Sequence, residues 1–439
     1  LRDLSAQSVK GRNEMLEING KEFIPDDDLV IQGDEFSACD IEQPAVIRNP
    51  FPYYDLMRDK PIQFGVRGYP PGTVQGVDEP IPAWGIFRYD EVKHVYANHK
   101  IFSSEDRMQE ASEAPSMMLV NHDQPEHTFL RNVARQAFSP KRVDQDVAPW
   151  LAEICDHMLE KEGPGNVDFM TNLAADLPAR FIAKLLGTPA DEYRKIRQFA
   201  DAYMGTSTQT TEEKLATSIE FNDYFTYHVN ERYKQIEAGT AEDNLMTGFI
   251  VAEDDDGKKL TPEEVKKFCI TMVAGGAESS VFLLGNQVVS FLEMPELYQK
   301  MRKDRSLIRP FLEENIRRTG PIQRLFRECL EDTMIGDQEI KEGEWVCVFN
   351  GSGNHDPSMF ENPSEFIMDR PNVGKNLTFG HGIHHCIAAL VARNEAAAMM
   401  NGILDRYKAV EPGDGEVIFQ DRNFINYGPS TVPVNFVPA

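Results

Sequence analysis

The sequence has no paired cysteines. Its six, Cys39, Cys155, Cys269, Cys329, Cys347 and Cys386, are scattered singly, and no Cys-x-x-Cys occurs. That excludes a disulfide-stapled secreted scaffold and fits thiols kept reduced in a cytoplasmic compartment. Basic residues are in short supply: 45 Lys and Arg face 71 Asp and Glu, a formal net charge of −26. Such a surface repels phosphate backbones and anionic lipid, which argues against nucleic-acid and membrane partners. No internal repeat or low-complexity linker interrupts the chain, and its first residues open no apolar signal region. Long hydrophobic runs are scarce too. The one stretch worth testing as a membrane span, 268–292, carries Glu278, Ser279, Ser280, Asn286 and Gln287 near its middle. A charge at bilayer depth is costly, so a buried helix fits this stretch better.

What the chain does contain is an ordinary globular mix over 439 residues, 41% hydrophobic and 26% charged. It is long enough to bury a large core without metal or disulfide staples. From about residue 144 onward, apolar residues recur at spacings of three and four, the helical period. The pattern predicts helices over 143–159, 193–204, 218–236, Pro262–Glu293, 307–318 and 387–407, and short strands over 83–88, 345–350 and 432–437. Turn residues place loops at 68–82 and 351–370. The expected fold class is mainly α with small β-sheets: one large domain over 49–439 behind an N-terminal extension, 1–48. The helix from Pro262 is the most explicit, with Thr261 as cap, Pro262 at its first position and Glu264 completing a capping box. Near its centre Gly275-Gly276 costs about 1 kcal/mol per glycine relative to alanine. The pair marks either close helix packing or a groove beside a bound group, with Glu278 and Ser279 aimed into it.

The segment richest in chemistry is Phe379-Gly380-His381-Gly382-Ile383-His384-His385-Cys386-Ile387-Ala388. A glycine-rich loop leads to a cysteine at the start of an apparent helix, where backbone N–H groups favour a thiolate. Glycines at 380 and 382 let the backbone approach something flat and bulky. A buried structural cysteine, a zinc site from His381, His384, His385 and Cys386, and a nucleophilic cysteine are all readings of these residue types. None of the three accounts for the phenylalanine and the glycines together.

Phe379-x-x-Gly382-x-His384-x-Cys386 resembles the heme-binding signature of the cytochrome P-450 family, with Ala388 where that family has glycine. Other segments follow in the family's order. Glu314-Asn315-Ile316-Arg317 is similar to its Glu-x-x-Arg helix, Gly320-Pro321-Ile322 to the turn after it, and Arg370 falls where the family completes that ion-pair network. Asp123-Gln124-Pro125-Glu126-His127-Thr128-Phe129-Leu130-Arg131 resembles the helix start whose His127 and Arg131 would hold heme propionates, with Arg327 and His384 at two further propionate positions. The resemblance covers about residues 49–437.

It implies the cytochrome P-450 fold and heme b, with Cys386 as the axial thiolate ligand of the iron and Phe379 and Gly380 beside it. It implies a monooxygenase in which Glu278 and Ser279, the latter standing where the family has threonine, relay protons. The pocket walls would come from 102–119, from Ala274 and Gly275, from Ile322 and Leu325, and from Phe424 and Ile425. Gln323, Arg324 and Asn426 would be its polar groups. A small hydrophobic substrate would be hydroxylated or epoxidised with O2. Electrons would come from a separate ferredoxin and an NAD(P)H-dependent ferredoxin reductase, docking on Arg135, Lys141, Arg142, Lys375 and Arg393. The alternatives are a peroxide-dependent peroxygenase and a non-oxygenating heme-binding protein on the same fold; the acid–alcohol pair argues against both.

Overall fold

The computed structural model describes residues 16–18, 21–23, 41, 43–67, 82–105, 117–135, 138–203, 209–254 and 257–439. Most of the expected 1–48 extension, the 68–82 loop and the 102–119 pocket wall lies outside the described residues. Five helices position the site and are called α1 to α5 in chain order: Glu126–Arg135, Ala148–Glu162, Pro262–Glu293, Ile308–Thr319 and Ala389–Arg406.

Helix α3 has the bounds expected from sequence. Thr261 accepts from the Glu264 N–H while the Glu264 carboxylate reaches back to the Thr261 N–H, so the capping box closes in both directions. Its most apolar stretch is long enough to cross a membrane, but that window is 72% buried inside the protein, as befits a central core helix. Asp176–Leu186, Tyr193–Tyr203 and Thr211–Glu237 pack along it, and α4 and α5 also touch it. The second of these neighbours to be expected, 218–236, begins earlier than its apolar pattern shows. Thr210 and Glu213 form another capping box, and the polar turn that follows is helical although nothing there is patterned.

A five-stranded sheet lies beside the helices in the order Gln63–Arg67, Pro82–Ile86, Trp345–Val348, Leu325–Cys329, Phe102–Ser103. Trp345–Val348 runs parallel to Pro82–Ile86 and antiparallel to Leu325–Cys329. Pro433–Pro438 joins Tyr407–Pro412 and Gly165–Asp168 in a smaller sheet. The expected loop over 351–370 instead opens inside a short buried helix, Asn350–Asn354, whose residues are too polar to register as an apolar period. The division at residue 48 also needs correction. Ile41, Ala45, Val46 and Ile47 are buried against Tyr53, Phe326 and Phe349, so these four residues belong to the core rather than to an extension.

Candidate active site

The cysteine loop is built by backbone geometry. The Gly380 N–H donates to the Leu377 carbonyl and the Cys386 N–H to the Phe379 carbonyl at 2.9 Å, folding the loop back on itself. Gly380 and Gly382 take φ of +71° and +72°, which side chains disfavour. A Cβ on Gly382 would stand 2.5 Å from the Tyr96 carbonyl oxygen, whereas one on Gly380 would meet nothing closer than 3.8 Å. Gly382 therefore serves close packing on the Tyr89–Ala97 helix, which corrects the expectation that both glycines make room for a flat ligand.

Of the five cysteines among the described residues, Cys386 alone is exposed. The expected depression of its thiol pKa is not what the structure gives. Helix α5 begins three residues later, at Ala389. Although the residue is exposed at one side, the protein atoms crowded around its sulfur push the thiol up by desolvation, and the Ala388 N–H with the Arg131 and Arg393 guanidiniums opposes this only in part. A thiolate would form here if Cys386 were to coordinate a metal, which deprotonates a coordinating thiol outright.

Helix α1 carries His127 to the loop. Its ring centroid lies 4.3 Å from that of His384, and the Nε2 atoms of both are buried without a hydrogen-bond partner. Burial, and then the Arg131 charge, lower the His127 pKa to about 4. Burial, and then Arg327, take His384 to about 2. Arg131 donates to the His385 carbonyl at 2.8 Å, and Arg327 donates to the Phe326 carbonyl while lying over the Tyr96 ring. Two imidazoles and two guanidiniums thus converge where an anion would be welcome. Carboxylates such as heme propionates would satisfy the orphaned nitrogens, so the residues fit the group. His99, which sequence reasoning passed over, also has a buried Nε2 without a partner, and its charge bears on both histidines. A single histidine at a helix end gave no signal in the sequence.

Around the centre of α3, Gly275 is exposed and Ser279 half-buried. The Ser279 hydroxyl donates to the Gly275 carbonyl at 3.0 Å. Glu278 is buried and accepts from the Asn426 amide at 2.7 Å, so the acid is tied across to another segment rather than aimed into the groove beside the serine. Ile322, Leu325 and Ile425 are half-buried, while Ala274 and Phe424 are buried. The three polar pocket candidates are engaged inside the protein. Gln323 bonds Tyr54 and the Gly320 carbonyl, Arg324 lies 3.2 Å over the Phe424 ring, and Asn426 holds Glu278.

Behind the loop, α4 supplies a buried ionic cluster. Arg317 donates to both Glu314 oxygens at 2.7 and 2.9 Å, and Arg370 reaches the same carboxylate at 3.0 and 3.1 Å. The remaining donors are taken by carbonyls of Asn354, Glu361 and Pro363. One helix is thereby tied to the segment that leads into the cysteine loop.

The sequence profile described as Cytochrome P450 matches residues 181–432 of this chain. The chain belongs to the cytochrome P450 family. Cytochrome P450 YjiB of Bacillus subtilis is 31% identical over 86% of this chain and 93% of its own length. The steroid C26-monooxygenase of Rhodococcus jostii is 29% identical over 83% of this chain and 78% of its own. The fold also matches CYP109E1 of Bacillus megaterium, solved with corticosterone, at a TM-score of 0.75 and 28% identity, covering 89% of this chain and 98% of that one. This P450 is therefore a monooxygenase that uses heme b, takes electrons from redox partners and binds substrate and O2.

Proposed function

We propose that this P450 hydroxylates or epoxidises a small hydrophobic molecule, with electrons from a separate ferredoxin and its NAD(P)H-dependent reductase, in the cytoplasm. The observation that carries the site assignment is the pair of buried, unpartnered histidine nitrogens beside the one cysteine exposed among the described residues. In this reading Cys386 is the axial ligand, with Phe379 and Gly380 shaping its loop. His127, Arg131, Arg327 and His384 hold the propionates, and Glu314, Arg317 and Arg370 brace the approach to the loop. Heme, when bound, supplies dioxygen activation and the one-electron chemistry, while the protein supplies orientation and proton control.

The apolar wall of Ala274, Ile322, Leu325, Phe424 and Ile425 excludes water and accepts hydrocarbon surface. The steroid-related relatives support beginning a substrate search with hydrophobic compounds of that size. Ser279 holds a proton at its Oγ on the substrate side, and Glu278 restores it once given up. Turnover with ferredoxin, reductase and NAD(P)H tests the reading, and product formed only with peroxide overturns it. Ser279→Ala is expected to keep the carbonyl-difference spectrum and the substrate-induced spectral shift, yet to divert more reductant to hydrogen peroxide. Unchanged product per NAD(P)H removes the serine from the account.

A further inference from the structure

Glu278 is not free to serve Ser279 in the geometry observed, because its carboxylate accepts from Asn426, 148 positions along the chain, at 2.7 Å. The Asn426 Oδ1 is buried without a partner. The Asn426 amide presents its N–H to Glu278 Oε2, a bond that a protonated carboxyl accepts as well as a carboxylate does. Asn426 is itself held firmly. Its backbone bridges Ile322, and its carbonyl accepts from the Gln420 side chain, which also bonds the Asn423 carbonyl. The Gln323 N–H donates to the Ile425 carbonyl and the Tyr427 N–H to the Pro321 carbonyl, stitching the whole turn to the segment after α4. The two residues just before Asn426 are Phe424 and Ile425, both assigned above to the substrate wall.

We infer that Asn426 is a positioning residue that latches Glu278 away from Ser279 until substrate, pressing on Phe424 and Ile425, loosens the turn. Proton supply is thereby tied to pocket occupancy. The inference rests on the proposed role of Glu278 as proton source. It adds that the acid is withheld when no substrate is present. Release breaks the Asn426 hydrogen bond, and the carboxyl turns about its own side-chain torsions.

Asn426→Ala removes the latch and Asn426→Asp replaces the donor at nearly constant volume, setting a second carboxyl against the first. In the heme-loaded enzyme both are expected to raise substrate-free NAD(P)H consumption several-fold and to lower product per NAD(P)H. The substrate dissociation constant read from the spectral shift should stay within about twofold, and the solvent hydrogen-isotope effect on oxygen consumption should change. A merely structural role would lower thermal stability and leave coupling and isotope effect as they were. Glu278→Gln separates the two ideas. If it alters coupling while both Asn426 variants match wild type, the latch is wrong and the relay stands. If it leaves rate and coupling unchanged, the relay itself fails. If Asn426→Ala adds nothing in the Glu278→Gln background but acts in the wild type, the two residues share one path and the latch is supported.

Discussion

At the scale of the residue, the two loop glycines separate a conformational cost from a steric one. An alanine in the left-handed region loses roughly 1–2 kcal/mol whatever its surroundings. At Gly380 that is the main cost within the protein, where the nearest contact would be the His384 carbonyl at 3.8 Å. At Gly382 the new methyl group would also stand 2.5 Å from a backbone carbonyl that cannot swing aside. Gly380→Ala is therefore expected to give heme-loaded protein with modestly reduced stability. Gly382→Ala should displace the loop from the Tyr89–Ala97 helix and sharply lower the ratio of heme to protein absorbance. Equal heme content in the two variants would refute this division. The motif made both glycines visible in the sequence, but their roles were not. The partner of Gly382 is Tyr96, almost three hundred positions earlier, and no local pattern carries that contact. The same holds for Asn426, whose importance depends on where Glu278 points.

At the scale of the element, legibility followed local chemistry. Helix α3 could be bounded from its caps and its apolar run, because both signals lie within the helix. The Asp176–Leu186 helix escaped notice for the opposite reason. Leu177, Pro178, Ala179, Phe181, Ile182, Ala183, Leu185 and Leu186 are all buried, and only the narrow stripe of Asp176, Arg180 and Lys184 faces outward, with Pro178 in the first turn reading as a breaker. Helix α5 was expected, yet the sequence concealed its most unusual member. Glu395 is buried with Oε1 unpartnered, and burial raises its pKa to about 7 although a Ser280 hydrogen bond opposes the rise. The folded protein thus holds a proton that the unfolded chain releases near the ordinary value of 4.5. Between those two values the native state binds more protons, so stability falls as pH rises and the loss is complete above about 7. The penalty is about 3 kcal/mol at pH 8, taking 1.36 kcal/mol per pH unit. Glu395→Gln keeps a hydrogen-bonding partner for Ser280 and loses the charge. It should stabilise the protein at pH 8 and change it little at pH 4.5, as measured by denaturant unfolding. Equal effects at both values would show that Glu395 stays ionised in the fold.

At the scale of the whole molecule, the net charge of −26 sets the problem of docking the proposed electron donor, a ferredoxin that would itself be acidic. Average repulsion would then have to be overcome by a local cationic patch near Cys386. Two of the five expected members are compromised. Arg393 makes a paired contact with Glu313 at 2.7 and 3.0 Å and lies over the Phe379 ring, while Arg142 faces Asp146 and Asp243. Arg135, Lys141 and Lys375 are exposed. Their placement follows from the chain. Arg135 lies one turn beyond Arg131, which touches the cysteine loop, Lys141 follows that helix closely, and Lys375 precedes Leu377, where the loop closes. Reversing Lys141 and Lys375 together should therefore slow reduction by ferredoxin at low salt, and the gap should close as salt rises and screens the field. Arg393→Glu should act differently, since it sets a second carboxylate against Glu313 beside Phe379. Its cost should appear in heme retention and thermal stability, and added salt should not restore it. Stopped-flow reduction across a salt series, run beside thermal unfolding, distinguishes the two behaviours. A salt-independent defect in the lysine double variant would move the docking face elsewhere on the surface.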